Sequence, residues 1–153
     1  MDGGAIFQTP DVAALSAGLE VLSLRQRLIA QNLANVDTPG YARLDLDFGQ
    51  AFAAALAAET GTAGSPGATA LAGPAGVPGA TVLASAAPAL PAGASLAGAV
   101  QPAAGLAFKV DGNGVDLDQE MVELAETGMQ YEAASQLLAL AFGRLRTAVT
   151  GRS

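Results

Sequence analysis

Residues 116–150 read DLDQEMVELAETGMQYEAASQLLALAFGRLRTAVT, a run with no proline and only two glycines. Within it Leu117, Met121, Leu124, Gly128, Tyr131, Ser135, Leu138, Phe142, Leu145 and Val149 fall alternately four and three apart. That spacing is the heptad seam of helices that pack side by side. Asp116 is placed to cap the helix, and Gln119 three residues on completes a capping-box pattern. Asp118, Glu120 and Glu123 crowd the start while Arg144 and Arg146 lie near the end, the order that the helix dipole favours. Just upstream, Asp111-Gly112-Asn113-Gly114 reads as a tight turn.

A partner helix lies at the other end of the chain. Val12, Leu15, Leu19, Leu22, Ile29, Leu33 and Val36 continue the same alternation, with Gln26 filling one step. Pro10 suits a first-turn position and Thr9 an N-cap. The helix is expected to stop near Asn35, because Asp37-Thr38-Pro39-Gly40 is a strong turn signal. The expected fold is therefore mainly α: long N- and C-terminal helices pairing as a coiled-coil-like bundle around an irregular middle segment.

Charge marks the limits of that middle. Every Asp, Glu, Lys and Arg lies between Asp2 and Glu59 or between Lys109 and Arg152. From Thr60 to Phe108 the chain is almost wholly Ala, Gly, Pro, Ser and Thr with scattered Val and Leu, one Gln and one Phe. Recurrent Gly and Pro forbid long helices there, and the low complexity predicts a flexible connector. Short strands at Thr81–Leu83 or Leu106–Val110 fit its few apolar clusters. The division is thus 1–59, an N-terminal helical segment; 60–108, a connector; and 109–153, a C-terminal helical segment.

Composition excludes several functions. With 153 residues, no cysteine and no histidine, the chain lacks thiolate ligands and the commonest general base. A net charge of −7 opposes sequence-independent binding to nucleic acid. No apolar run approaches the length of a membrane span, and the N-terminus shows no cleavable signal pattern. Asp116, Glu120 and Glu123 share a helical face, yet with no companion ligands they read as a solvated helix start. Lys109, the only lysine, has no catalytic companion, and Arg25 and Arg27 read as surface or interface charges. No phosphate-loop glycine order occurs. The reading is a non-enzymatic structural protein with no cofactor, no metal, no nucleic acid and no small-molecule substrate.

The seams imply neighbours. Burying one stripe of side chains and forming helical hydrogen bonds only about balances the backbone entropy lost. The C-terminal helix also carries Val122, Met129, Leu137, Leu140 and Ala141 off its seam. A helix apolar on more than one side expects more than one neighbour. The expected assembly seam comprises Leu15, Leu19, Leu22, Ile29 and Leu33 with Met121, Leu124, Tyr131, Leu138, Phe142 and Leu145.

The segment Asn32-Leu33-Ala34-Asn35-Val36-Asp37-Thr38-Pro39-Gly40-Tyr41 resembles the N-terminal signature of bacterial flagellar axial proteins, the rod, hook and hook-associated subunits. Its motif residues are Asn32, Asn35, Asp37, Thr38, Pro39, Gly40 and Tyr41. Within that family the rod subunits are most similar. Arg25-Gln26, Arg43 to Phe48, Gly112 to Met121, Gln130-Tyr131-Glu132 and Phe142 to Val149 also resemble them. The resemblance covers both helical zones and not the connector. It implies a subunit of the proximal rod, in the periplasm-spanning part of the basal body, that transmits torque from motor to hook and is required for motility. The implied partners are other copies, other rod proteins, the rod–ring adaptor, the membrane ring and the flagellar type III export apparatus. Export without a cleaved signal is implied too. Phe48 and Phe52 resemble the pattern recognised by the export gate, and an apolar patch after the turn explains them equally well. The alternatives are a different rod subunit, or a cytoplasmic helical adaptor or export chaperone.

Overall fold

The computed structural model describes residues 10–60, 99–103 and 112–151. In chain order it contains α1 (Pro10–Ala34), β1 (Leu44–Leu46), α2 (Phe48–Glu59), β2 (Val100–Pro102) and α3 (Leu117–Thr150). The fold is mainly helical, and the long terminal helices pack together.

Helix α1 opens with Pro10, whose missing N–H costs nothing in a first turn. Its last turn tightens through Asn35 N–H to Asn32 C=O (3.0 Å) and Val36 N–H to Leu33 C=O (3.3 Å). The turn then closes at Gly40, whose φ of 71° suits glycine. The chain reverses into β1, where Leu44 and Leu46 point inward and Asp45 outward. Asp47 caps α2 by accepting from Gln50 N–H at 3.0 Å. Strand β2 pairs antiparallel with β1, Leu44 opposite Pro102 and Leu46 opposite Val100.

The apolar core lies between α1 and this small layer. Ala17, Val21, Leu24 and Leu28 of α1 pack with Leu44, Leu46, Ala51, Ala55, Ala99 and Val100. This is a second stripe of α1, distinct from the seam read in the sequence. α1 therefore carries two faces, one for the β1–α2 layer and one for α3. Alanines at 17, 51 and 55 let α1 and α2 approach closely.

Helix α3 runs antiparallel to α1, since Asn32 near the end of α1 meets Glu120 near the start of α3. Asp116 caps α3, accepting from Asp118 and Gln119 N–H at 2.9 and 3.4 Å. The reciprocal half of the expected capping box is not made. The Gln119 side chain donates to Glu123 instead, at 2.9 Å. Gly151, with φ 61°, ends the helix by donating to Thr147 C=O. At about 1.5 Å per residue, α3 is roughly 50 Å long against under 40 Å for α1, so its last turns run past Pro10.

The stretch 60–108 is not irregular throughout, because Val100–Pro102 forms β2 on the edge of β1. The expected strands at Thr81–Leu83 and Leu106–Val110, and Thr9 as N-cap, lie outside the described residues. Among the described residues no helix is long and apolar enough to cross a membrane. None of their His, Cys, Asp and Glu side chains group as a metal site.

Candidate functional site: the junction of the two terminal segments

The turn motif and the start of α3 meet in a buried polar junction. Asn32 is fully buried and works as a two-sided bracket. Its amide nitrogen donates to Leu44 C=O (2.8 Å) and to a Glu120 carboxylate oxygen (3.2 Å). Its oxygen accepts from Leu44 N–H (2.9 Å) and from the Tyr41 hydroxyl (3.3 Å). One side chain thus ties α1 to β1, to Tyr41 and to α3.

Glu120 is fully buried in the first turn of α3. The helix start read as solvated is therefore corrected at this position. A carboxylate is tolerated there because Arg43 donates to it through Nε while Asn32 takes its second oxygen. Arg43 Nη2 also donates to both oxygens of Glu123 at 2.7 Å. Asp45 and Arg25 stand at the margin, 3.7 Å from Arg43 and 3.8 Å from Glu123 respectively. Burial works against the Arg43 charge, but the Glu120 hydrogen bond and the charges of Glu120, Glu123 and Asp45 outweigh it and raise its pKa.

Asn113 makes the second connection. Its amide nitrogen donates to the carbonyls of Asn35, Val36 and Thr38 at 3.0, 3.1 and 2.7 Å. Its oxygen accepts from Val115 N–H at 2.7 Å, and Gly114 N–H donates to Tyr41 C=O at 3.1 Å. The turn that follows α1 is thereby held from the other end of the chain. Gly112, with φ 80°, lets the chain enter this turn. Asn113→Ala is expected to lower the unfolding free energy by about 1–3 kcal/mol, the cost of leaving the buried Val115 N–H without its acceptor and breaking the bonds to the turn. Asn113→Asp should be at least as harmful, since a carboxylate would face carbonyl oxygens. Denaturant melts of the three chains check this, and coincident curves would contradict it.

Tyr41 is fully buried, and burial first, then the Glu120 charge, pushes its hydroxyl up to about 12. The folded pKa exceeds the unfolded value of 10.0. The unfolded chain therefore loses its proton first, and this group's contribution is intact below pH 10 and lost as pH rises through about 12. Ultraviolet titration should show a phenol ionising near pH 12 that is missing in Tyr41→Phe.

The motif residues divide cleanly. Asn32 and Tyr41 are buried, Asn35 and Thr38 half-buried, and Asp37, Pro39 and Gly40 exposed on the turn. Thr38 Oγ1 donates to Asn35 Oδ1 at 3.3 Å, and Asn35 donates to Gln31 C=O at 2.8 Å. Of the seam residues, Leu22 and Ile29 are buried and Leu15, Leu19, Leu33, Leu124, Leu138 and Leu145 half-buried. Met121, Tyr131 and Phe142 remain 54%, 38% and 46% exposed within the single chain. Phe48 and Phe52 stack on α2 with ring centroids 6.0 Å apart, Phe48 exposed.

Sequence reasoning missed Arg43 and Asn113 as partners of the opposite segment. A lone arginine beside a turn and an Asn between two glycines were the available signals. The arrangement offers no nucleophile–base pair. Its chemistry is mutual satisfaction of buried polar groups across two distant stretches of chain.

Paired terminal helices are clasped where an Asn-rich helix end turns through Pro-Gly to a buried Tyr, the segment that resembles the signature of the flagellar axial proteins. No protein-family model matches the chain. The flagellar basal body rod protein FlgB of Salmonella typhimurium is 29% identical over 135 residues, covering 82% of this chain and 85% of that protein. Those of Escherichia coli and Shigella flexneri are each 32% identical over 131 residues, with the same coverage. The chain belongs to the FlgB family of flagellar basal body rod proteins.

Proposed function

We propose that this rod subunit sits in the proximal, periplasm-spanning rod. There its helix pair packs against other copies and other rod proteins, transmits torque from motor to hook, and is required for motility. The observation that carries this reading is the outer face of α3. Val122, Met129, Leu137 and Leu140 are exposed there, while Glu120 and Thr127 are buried on the side toward α1. A helix whose inner face is already occupied by α1 and whose outer face is apolar is suited to a second neighbour.

The same reading makes the chain a non-enzymatic structural part and gives it the rod–ring adaptor and membrane ring as further partners. It leaves the cell interior through the flagellar type III apparatus without a cleaved signal, with the stacked Phe48 and Phe52 as the gate-recognition pair. Residues 1–59 and 109–153 are the rod-building segments, and 60–108 the connector that β2 docks at its far end. Deleting the gene should abolish swimming, and a plasmid copy should restore it. A deletion strain that swims normally would contradict the proposal.

A further inference from the structure

A seam built on a seven-residue repeat is nearly self-similar. Sliding one helix a heptad along its partner, about 10 Å, brings apolar residues back opposite apolar residues. Helix α3 resists such a slide weakly through its seam. Only Glu120 and Thr127 are buried on it, and Gly128 and Ser135 occupy two of its inner positions. A Cβ at Gly128 would meet nothing within 4 Å, so no close interlock forms there.

What does distinguish one register from the next is polar and confined to the entry of α3. Glu120 is held by Arg43 on one oxygen and Asn32 on the other. Arg43 is itself held in place by the strands, its carbonyl accepting from Ala103 N–H at 2.8 Å. Asn113 grips three carbonyls of the turn that follows α1, ahead of the first turn of α3. A slide of even one turn, about 5 Å, would strand a fully buried carboxylate and break the three hydrogen bonds from Asn113 to the turn.

We propose that Arg43, Glu120 and Asn113 form a register lock. They are positioning residues that fix the height of α3 along α1, and so the height at which Val122, Met129, Leu137 and Leu140 are presented to neighbours. The proposal rests on reading the α1–α3 pair as the assembling unit, but the lock belongs to the single chain and is measured there. Motility is read separately in cells, so loss of the lock and loss of the rod role are distinct outcomes.

The chain has no cysteine, so Ala30→Cys and Ala133→Cys, both at exposed positions, report the register through spin labels on the purified full-length protein. The parent should give one narrow distance distribution. Arg43→Met and Glu120→Met keep side-chain bulk, and together with Asn113→Ala they remove the polar choice. That variant should retain its helical circular dichroism and gain a second population displaced on the order of 5–10 Å. A single peak at the parent distance would overturn the proposal. Loss of the helix signal would also count against it, since the cluster would then hold the fold rather than choose its register. A second variant moves the carboxylate one heptad, Glu120→Thr with Thr127→Glu on the Asn113→Ala background. Its main peak should shift in the same range, and an unmoved peak would overturn the proposal.

Discussion

Glu120→Ala is expected to lower the stability of the chain by about 3–5 kcal/mol, the cost of removing one partner of a buried ion pair. Arg43 would keep its charge with a side chain only 12% exposed, and Asn32 would lose an acceptor while remaining fully buried. Glu132→Ala serves as the comparison. That carboxylate is exposed on α3, and its loss should fall within about 0.5 kcal/mol of the parent. Unfolding in denaturant, followed by circular dichroism, reads both. A Glu120→Ala chain within about 1 kcal/mol of the parent would mean that the junction does not hold the two segments together.

The second large effect concerns assembly. Leu138→Asp should abolish motility and block incorporation into the rod, because it places a carboxylate on the half-buried inner face of α3. An unpaired charge there costs several kcal/mol, more than so nearly balanced a helix can offset. Phe142→Asp should do the same by a different route. Phe142 is 46% exposed in the single chain, so its burial is completed by a neighbouring subunit under the proposed function. Glu132→Asp keeps its charge and should be tolerated. Secreted but unassembled subunit is the expected phenotype of the first two, because the proposed export signal lies in the N-terminal segment. Swim halos and immunoblots of culture supernatant check this, and motile cells carrying Leu138→Asp would contradict it.

Much of this fold was legible because its boundaries are set locally. Pro10, the Asp37–Gly40 turn and the Asp116 cap act within a few residues of themselves, and α1 and α3 begin and end where they direct. The two long helices were legible from spacing, but their seam was not settled by it: Met121, Tyr131 and Phe142 stay exposed in the single chain. Two kinds of feature were not legible. The stripe Ala17-Val21-Leu24-Leu28 was hidden because it has the same four-three spacing as the neighbouring seam, and α2 because its Ala-rich run resembles the connector that follows. The remainder depends on contacts far apart in sequence. Strand β2 is three residues long and exists by pairing with β1 across more than fifty residues. Glu120 resembled a solvated, dipole-matched acid until Arg43, 77 residues earlier, was placed beside it. Burial of a charge is decided by its partner, and local sequence does not name that partner.

The central claim, that this chain is built into the rod, is tested most directly by quantitative mass spectrometry of purified basal bodies. The account predicts that the chain co-purifies in an amount comparable with other rod subunits, and that Leu138→Asp removes it from the preparation. Basal bodies from motile cells that lack the chain while it accumulates in the cytosol would contradict the account.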